Sequence, residues 1–271
     1  MSFAIDSIWI EYEFVVPDGI NDCLETALKV LRKVNDENPK FTITLDREYY
    51  SDQIEFKLMR TTHIDEGIAY FQKVMIDMYK EIKPLSSTTK KHFVGTHIHL
   101  FLNKDWVPYT KFAQWKKVLL VKYAYTKMAD FLTKLNKEGN VLRRVVANEM
   151  MRLTTNHNIL RYFDNSIWNK LKSNLESLRM QYQQFHSWTD RPKYTPVLWS
   201  LANEASGKPH SLEIRCIPNT FLMLSKPTEI SEYVMGVADV LNTRATKTVE
   251  EAANEIASTH LSLLTQLIRI D

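Results

Sequence analysis

Apolar and polar side chains alternate over residues 7–16, with Ile8, Ile10, Tyr12 and Phe14 on one side and Trp9, Glu11 and Glu13 on the other. A period of two in β-forming residues predicts a strand, closed by Pro17-Asp18-Gly19. The period then lengthens: Leu24, Leu28, Leu31 and Val34 predict an amphipathic helix over 21–35, broken at Asn38-Pro39. Short alternating runs at 41–45 and 54–58 predict two strands flanking 46–52. A helix follows over 68–82, with Phe71, Met75 and Met78 on its buried stripe. Residues 84–91 predict a polar loop and 93–102 a strand. Helical stretches come next at 108–136, 140–153 and 166–188, then a loop at Arg191-Pro192-Lys193. Strands at 197–202 and 211–217 flank a hairpin-like turn at 205–209, and helices at 229–241 and 248–268 finish the chain. Strands early and late with helices between predict an α+β fold, not βαβ alternation. The expected organisation is one domain over 1–271 with a helical insertion at roughly 108–190.

Composition narrows the chemistry. The 271 residues hold 6 glycines, where average usage would give roughly 19, and no two lie within three residues. A P-loop, a dinucleotide fingerprint and a glycine flap each need clustered glycines, so a nucleotide would have to be held by side chains on regular structure. The net charge of +3 is spread along the chain and predicts no nucleic-acid footprint. Cys23 and Cys216 form neither a disulfide framework nor a zinc site. Asp6, Glu11 and Glu13 near the start argue against a signal peptide, and no run approaches 18 apolar residues. A cytoplasmic protein without a membrane segment is the expectation.

Three polar pairs stand at i, i+2 inside apolar strands: Glu11-Tyr12-Glu13, His97-Ile98-His99 and Glu213-Ile214-Arg215. In a strand, i and i+2 face the same way. If the three strands share a sheet, three carboxylates, two imidazoles and a guanidinium converge on one face. Each pair alone has an ordinary explanation: a solvated strand face, packed histidines, a surface ion pair. Together they crowd carboxylates that need a counter-ion. Carboxylates suit Mg²⁺ or Mn²⁺, imidazole suits Mn²⁺ better, and arginine adds a planar fork for phosphate oxygens. That combination points to phosphoryl transfer.

The ordered set Ile10-Glu11-Tyr12-Glu13-Phe14, Gly95-Thr96-His97-Ile98-His99 and Leu212-Glu213-Ile214-Arg215 resembles the amidoligases, carboxylate–amine ligases related to glutamine synthetase and glutamate–cysteine ligase. The region of Asp46 and Ile54-Glu55-Phe56 falls where such proteins have Asp-Gly-Ser and a Glu-Leu/Ile-Val segment. The resemblance runs thinly from Ile8 to Leu241. It implies a curved antiparallel sheet of the glutamine-synthetase-like type with helices outside. It also implies an ATP- and Mg²⁺- or Mn²⁺-dependent reaction in which a carboxylate becomes an acyl phosphate and an amine displaces phosphate. Carried over by position, Glu11, His97 and Glu213 would hold the metal nearer the ATP phosphates. Glu13 would serve the catalytic site by helping to hold a second metal, with Glu55 and less surely Asp46. His99 would touch ATP phosphates, and Arg215 would neutralise the transferred group. Arg191 and Tyr194 would be ligand contacts.

Three sites depart from the family pattern: Trp9 stands where a small residue is usual, Phe101 where glycine often follows, and Arg47-Glu48 follow Asp46 in place of Gly-Ser. Trp9 shares its strand face with Glu11. The family is frequent in bacteria and phages, so an alternative is a decayed member with a structural or assembly role, in a virion for example, and with protein partners. A third reading is another two-metal phosphoryl enzyme. Arg143, Arg144 and Arg152 read as a solvated helix face. Met75, Met78, Met150, Met151 and Met180 read as packing residues, as do Trp168, Trp188 and Trp199. His63, His157, His186, His210 and His260 have no partner visible in the sequence.

Overall fold

The computed structural model describes residues 4–15, 20–47, 53–82, 95–102, 114–138, 143–155, 197–200, 211–243 and 249–268. Among these residues, six strands form one antiparallel sheet: β1 (Ile5–Val15), β2 (Ile43–Arg47), β3 (Gln53–Thr61), β4 (Thr96–Leu102), β5 (Val197–Ser200) and β6 (Ser211–Ile217), in the order β2-β3-β1-β4-β6-β5. Helices α1 (Ile20–Glu37), α2 (Ile64–Ile82), α3 (Gln114–Glu138), α4 (Arg143–Thr155), α5 (Asn219–Leu224), α6 (Pro227–Asn242) and α7 (Val249–Ile268) pack outside it. The expected α+β arrangement is therefore present. β1, predicted from its alternation, is central and pairs with β3 on one side and β4 on the other.

Register sorts the side chains into two faces. Ile10 pairs with Leu58 and Ile98, Ile98 with Ile214, Tyr12 with Phe56, and Leu100 with Leu212. These form a buried apolar face packed with Phe71, Met75 and Met78 of α2 and Leu31 of α1. Complete burial of such side chains contributes about 1.5–3 kcal/mol each, which pins the register against a slip that would turn every one outward. α2 lies against β3 and α1 against β2, while α3 contacts β5 and β6 and packs on α4, α6 and α7.

Several expectations are corrected. α2 starts at Ile64, ahead of the predicted 68, and β2 runs to Arg47, so Asp46 is in a strand and not in the turn. The short helix α5, too brief for a periodic signal, follows Pro218. Met151 is 37% exposed and so is not a core residue, whereas Met75, Met78 and Met150 are buried. His260 is buried with its Nδ1 2.5 Å from the Tyr125 hydroxyl. The predicted helix at 166–188, the loop at 84–91 and the turn at 205–209 lie outside the described residues, as do Arg191, Tyr194, Trp168, Trp188 and Met180.

Candidate metal centre

The second face of the sheet collects polar groups by the same register. Glu11 sits between Lys57 of β3 and His97 of β4, Trp9 pairs with His99, His99 with Glu213, and Glu13 with Glu55. β4 and β6 change register between Thr96 and Ile98, so two residues of β6, Arg215 and Cys216, oppose His97. Such a bulge re-aims side chains locally. Here it falls just beyond Glu213, leaving Glu213 opposite His99 with Arg215 on the same face.

The contacts are close. His97 Nδ1 lies 3.2 Å from Glu11 Oε2 and 3.7 Å from Glu213 Oε1. A carboxylate only accepts, so His97 donates from Nδ1 to Glu11. His99 Nε2 lies 3.5 Å from Glu11 Oε2 and 3.9 Å from Glu213 Oε1. Its Nδ1 is 3.3 Å from Ser211 Oγ, and its buried Nε2 makes no hydrogen bond of acceptable geometry. Arg215 donates from Nη1 to Glu213 Oε1. Among the described residues, two groups of three each have potential ligand atoms within 4.8 Å of one another: Glu11, His99 and Glu213, and Glu11, Glu55 and His97. Glu11 belongs to both.

Charge follows from this crowding. Burial would raise the Glu11 carboxyl, but the hydrogen bond from His97 and the charge of His97 and His99 outweigh it and hold the group well below the usual carboxylate range. Glu55 moves the other way, to about 7, through burial and the negative charge of Glu11, with Lys57 opposing the shift. Burial works against the Lys57 ammonium, yet hydrogen bonds to Asp46 and Glu55 raise it above the ordinary lysine value. Lys57 Nζ is 2.8 Å from Asp46 Oδ2 and 2.9 Å from Glu55 Oε2.

Two further groups position the centre. Glu13 is tied to backbone: its Oε2 accepts from the Gly95 N–H at 2.9 Å, its own N–H donates to Gly95 O at 3.2 Å, and its carbonyl accepts from Asn219 Nδ2 at 2.9 Å. Glu13 is in neither ligand group among the described residues. Arg152 overturns its expected solvated position: it is buried, and it donates from Nη1 to Ile217 O at 3.0 Å and from Nη2 to Arg215 O at 3.2 Å. It thus clamps the bulged end of β6. Gly95 makes room for it, since a Cβ there would lie 1.6 Å from Arg152 Nη2. Glu149, buried beside it at 3.9 Å, is pushed up to about 7 by burial, against the opposing charge of Arg152. Arg143 of the same helix is exposed, as expected.

The structure therefore brings together Glu11, His97, His99, Glu213 and Arg215, with Glu55 at the edge through Glu11. Trp9 stacks on the His99 ring at 5.0 Å and 24°, and Phe101 carries the Arg60 guanidinium 4.3 Å above its ring. Lys57 was missed by sequence reasoning, since Glu55-x-Lys57 on an alternating strand looks like any solvated face. Arg152 was missed because its burial depends on Gly95, far off in sequence. No described helix is long and apolar enough to cross a membrane.

No protein-family model matches the chain, and no curated protein does. Among solved structures, a 3-hydroxy-3-methylglutaryl-coenzyme A reductase of Streptococcus pneumoniae aligns over 98% of this chain and 71% of its own, at 9% identity and a TM-score of 0.20. The class II enzyme of that species bound to NADPH in open conformations aligns over 98% and 64%, at 8% identity and a TM-score of 0.20. Similarity at that score says nothing of fold or chemistry here.

Proposed function

We propose that the chain is an ATP- and divalent-cation-dependent carboxylate–amine ligase of the amidoligase type, with a glutamine-synthetase-like sheet. The observation that carries this reading is the meeting of Glu11, His97, His99, Glu213 and Arg215 on one sheet face. The donor set fits Mg²⁺ or Mn²⁺: two buried carboxylates, and an imidazole whose Nδ1 faces Ser211 while Nε2 has no hydrogen-bond partner. An outer-shell hydroxyl on one ring nitrogen orients the other for ligation, and the imidazole share favours Mn²⁺.

In this reading Glu11, His99 and Glu213 hold the cation, His99 taking the ligand place expected of His97, which instead orients Glu11. A bound cation supplies charge neutralisation for phosphate oxygens. The remaining work falls to the chain. The two histidines facing Glu11 hold its carboxyl well below the usual carboxylate range, against the effect of burial. Arg215, one arm on Glu213, offers its other N–H groups to the transferred phosphoryl. Glu13, locked to Gly95, fixes the adjoining ends of β1 and β4. The substrate carboxylate attacks the γ-phosphorus of ATP and expels ADP. An amine then attacks the acyl phosphate, expels phosphate and loses a proton to leave the amide.

One observation favours a second reading. Trp9 lies flat against His99, on the face where nucleotide would approach, as suits a decayed amidoligase fold with an assembly role. Release of ADP and phosphate from Mn²⁺·ATP, rising when amino-acid or peptide carboxylates and amines are added as pools, supports the ligase. No phosphate release, together with no nucleotide binding at millimolar concentration, supports the assembly role.

A further inference from the structure

The two ligand groups found among the described residues are not equivalent. Around Glu11, His99 and Glu213, the buried His99 Nε2, in a residue 8% exposed, has no hydrogen-bond partner. Around Glu55, a cation is already in place. Lys57 Nζ contacts Glu55 Oε2 at 2.9 Å and Asp46 Oδ2 at 2.8 Å, and sits 5.9 Å from the centre of the Trp9 ring. Register explains the placement, because Lys57 lies opposite Thr44 on β2 and Glu11 on β1. Two carboxyl groups within 3 Å and an aromatic ring nearby oppose release of the ammonium.

We infer that the centre is mononuclear. It takes one divalent cation at Glu11, His99 and Glu213, while the tethered ammonium of Lys57 stands in for a second cation at Asp46 and Glu55. This rests on the metal-dependent reading above and specifies it further. A divalent ion entering at Glu55 would have to displace an ammonium less than 3 Å away from both carboxyl groups, or bear its repulsion. The same ammonium ties Trp9 into the arrangement. The bulky ring at position 9 is then part of the device that seats Lys57, and not an obstruction alone.

The test is titration of the purified 271-residue chain with MnCl₂ alone, without nucleotide, followed by electron paramagnetic resonance of free and bound Mn²⁺. The wild type should bind one Mn²⁺ per chain, magnetically isolated, and Lys57→Arg should do the same. Lys57→Met should bind a second, with dipolar broadening from the neighbouring ion. Should Lys57→Met fail to fold, two other variants decide. Glu213→Gln should weaken Mn²⁺ binding by at least about tenfold. Glu55→Gln should change it by less than about fivefold, as for a charge that is not a ligand. Two Mn²⁺ in the wild type, one in Lys57→Met, or a tenfold loss in Glu55→Gln would overturn the inference while leaving the metal-dependent reading intact. No Mn²⁺ bound to the wild type overturns both.

Discussion

Replacing Gly95 by alanine tests how the centre is braced. The new methyl would lie 1.6, 2.1 and 2.4 Å from Arg152 Nη2, Cζ and Nη1. No backbone atom is among these nearest neighbours, so the chain at position 95 accepts alanine only if the guanidinium leaves. Leaving means losing the bonds to Ile217 O and Arg215 O. Hydrogen bonds from a charged donor contribute about 1.5–3 kcal/mol each. Partial rescue by water reduces the sum, so the expected loss is about 3 kcal/mol, a large part of an ordinary domain's stability of about 5–15 kcal/mol. Urea denaturation of wild type, Gly95→Ala, Arg152→Ala and the double variant measures it. Arg152→Ala removes the obstruction, so Gly95→Ala should cost less than about 1 kcal/mol in that background, a coupling of about 2 kcal/mol. The Arg215 backbone carbonyl is one of the clamped groups, so Mn²⁺ affinity should fall in Gly95→Ala as well. Additive effects, or a loss below about 1 kcal/mol in the single variant, would refute the brace.

Other outcomes follow from the same arrangement. Glu149 has a folded value of about 7 against 4.5 for the free group, so the native state holds a proton there that the unfolded chain releases. Its contribution to stability is full below about 4.5 and is lost as pH rises through about 7, by about 3 kcal/mol in all; between pH 5 and 7.5 the unfolding free energy of the wild type, from urea denaturation, should fall by about 2 kcal/mol more than that of Glu149→Gln. Arg215→Lys should keep Mn²⁺ binding within about threefold while lowering kcat for ADP formation at least about tenfold, since an ammonium cannot reproduce the fork; wild-type turnover would reduce Arg215 to the partner of Glu213. Ile98→Ala, at a fully buried position of β4, should lower stability by about 2–5 kcal/mol in thermal or chemical denaturation.

Legibility differed between the two faces of the sheet and between near and far contacts. Glu11, His97, His99 and Glu213 were visible because a period of two keeps i and i+2 on one side whatever the register. Arg215 was visible because the β6 bulge lies after Ile214 and so spares the Glu213–Arg215 step. Lys57 was not. Its meaning comes from lying across from Glu11 and Thr44, and pairing register is not written in one strand's pattern. Arg152 was hidden more deeply. On α4 it shares its helix with Arg143 and Arg144, and only the missing Cβ of Gly95 admits it to the end of the sheet. Helix α5 escaped because six residues carry too little periodicity to recognise. Yet its Asn219 ties Thr96 to the Glu13 carbonyl.

In the proposed ligase, this face of the sheet binds a nucleotide through a divalent cation held by Glu11, His99 and Glu213. Calorimetric titration of a non-hydrolysable ATP analogue into the protein with saturating Mn²⁺, with EDTA in its place, and into Glu213→Gln with Mn²⁺ tests it most directly. Micromolar binding to the wild type with Mn²⁺, abolished by EDTA and weakened at least about tenfold by Glu213→Gln, is the predicted result. Binding that is equal with Mn²⁺ and with EDTA, or no binding by the wild type at millimolar analogue, would contradict it.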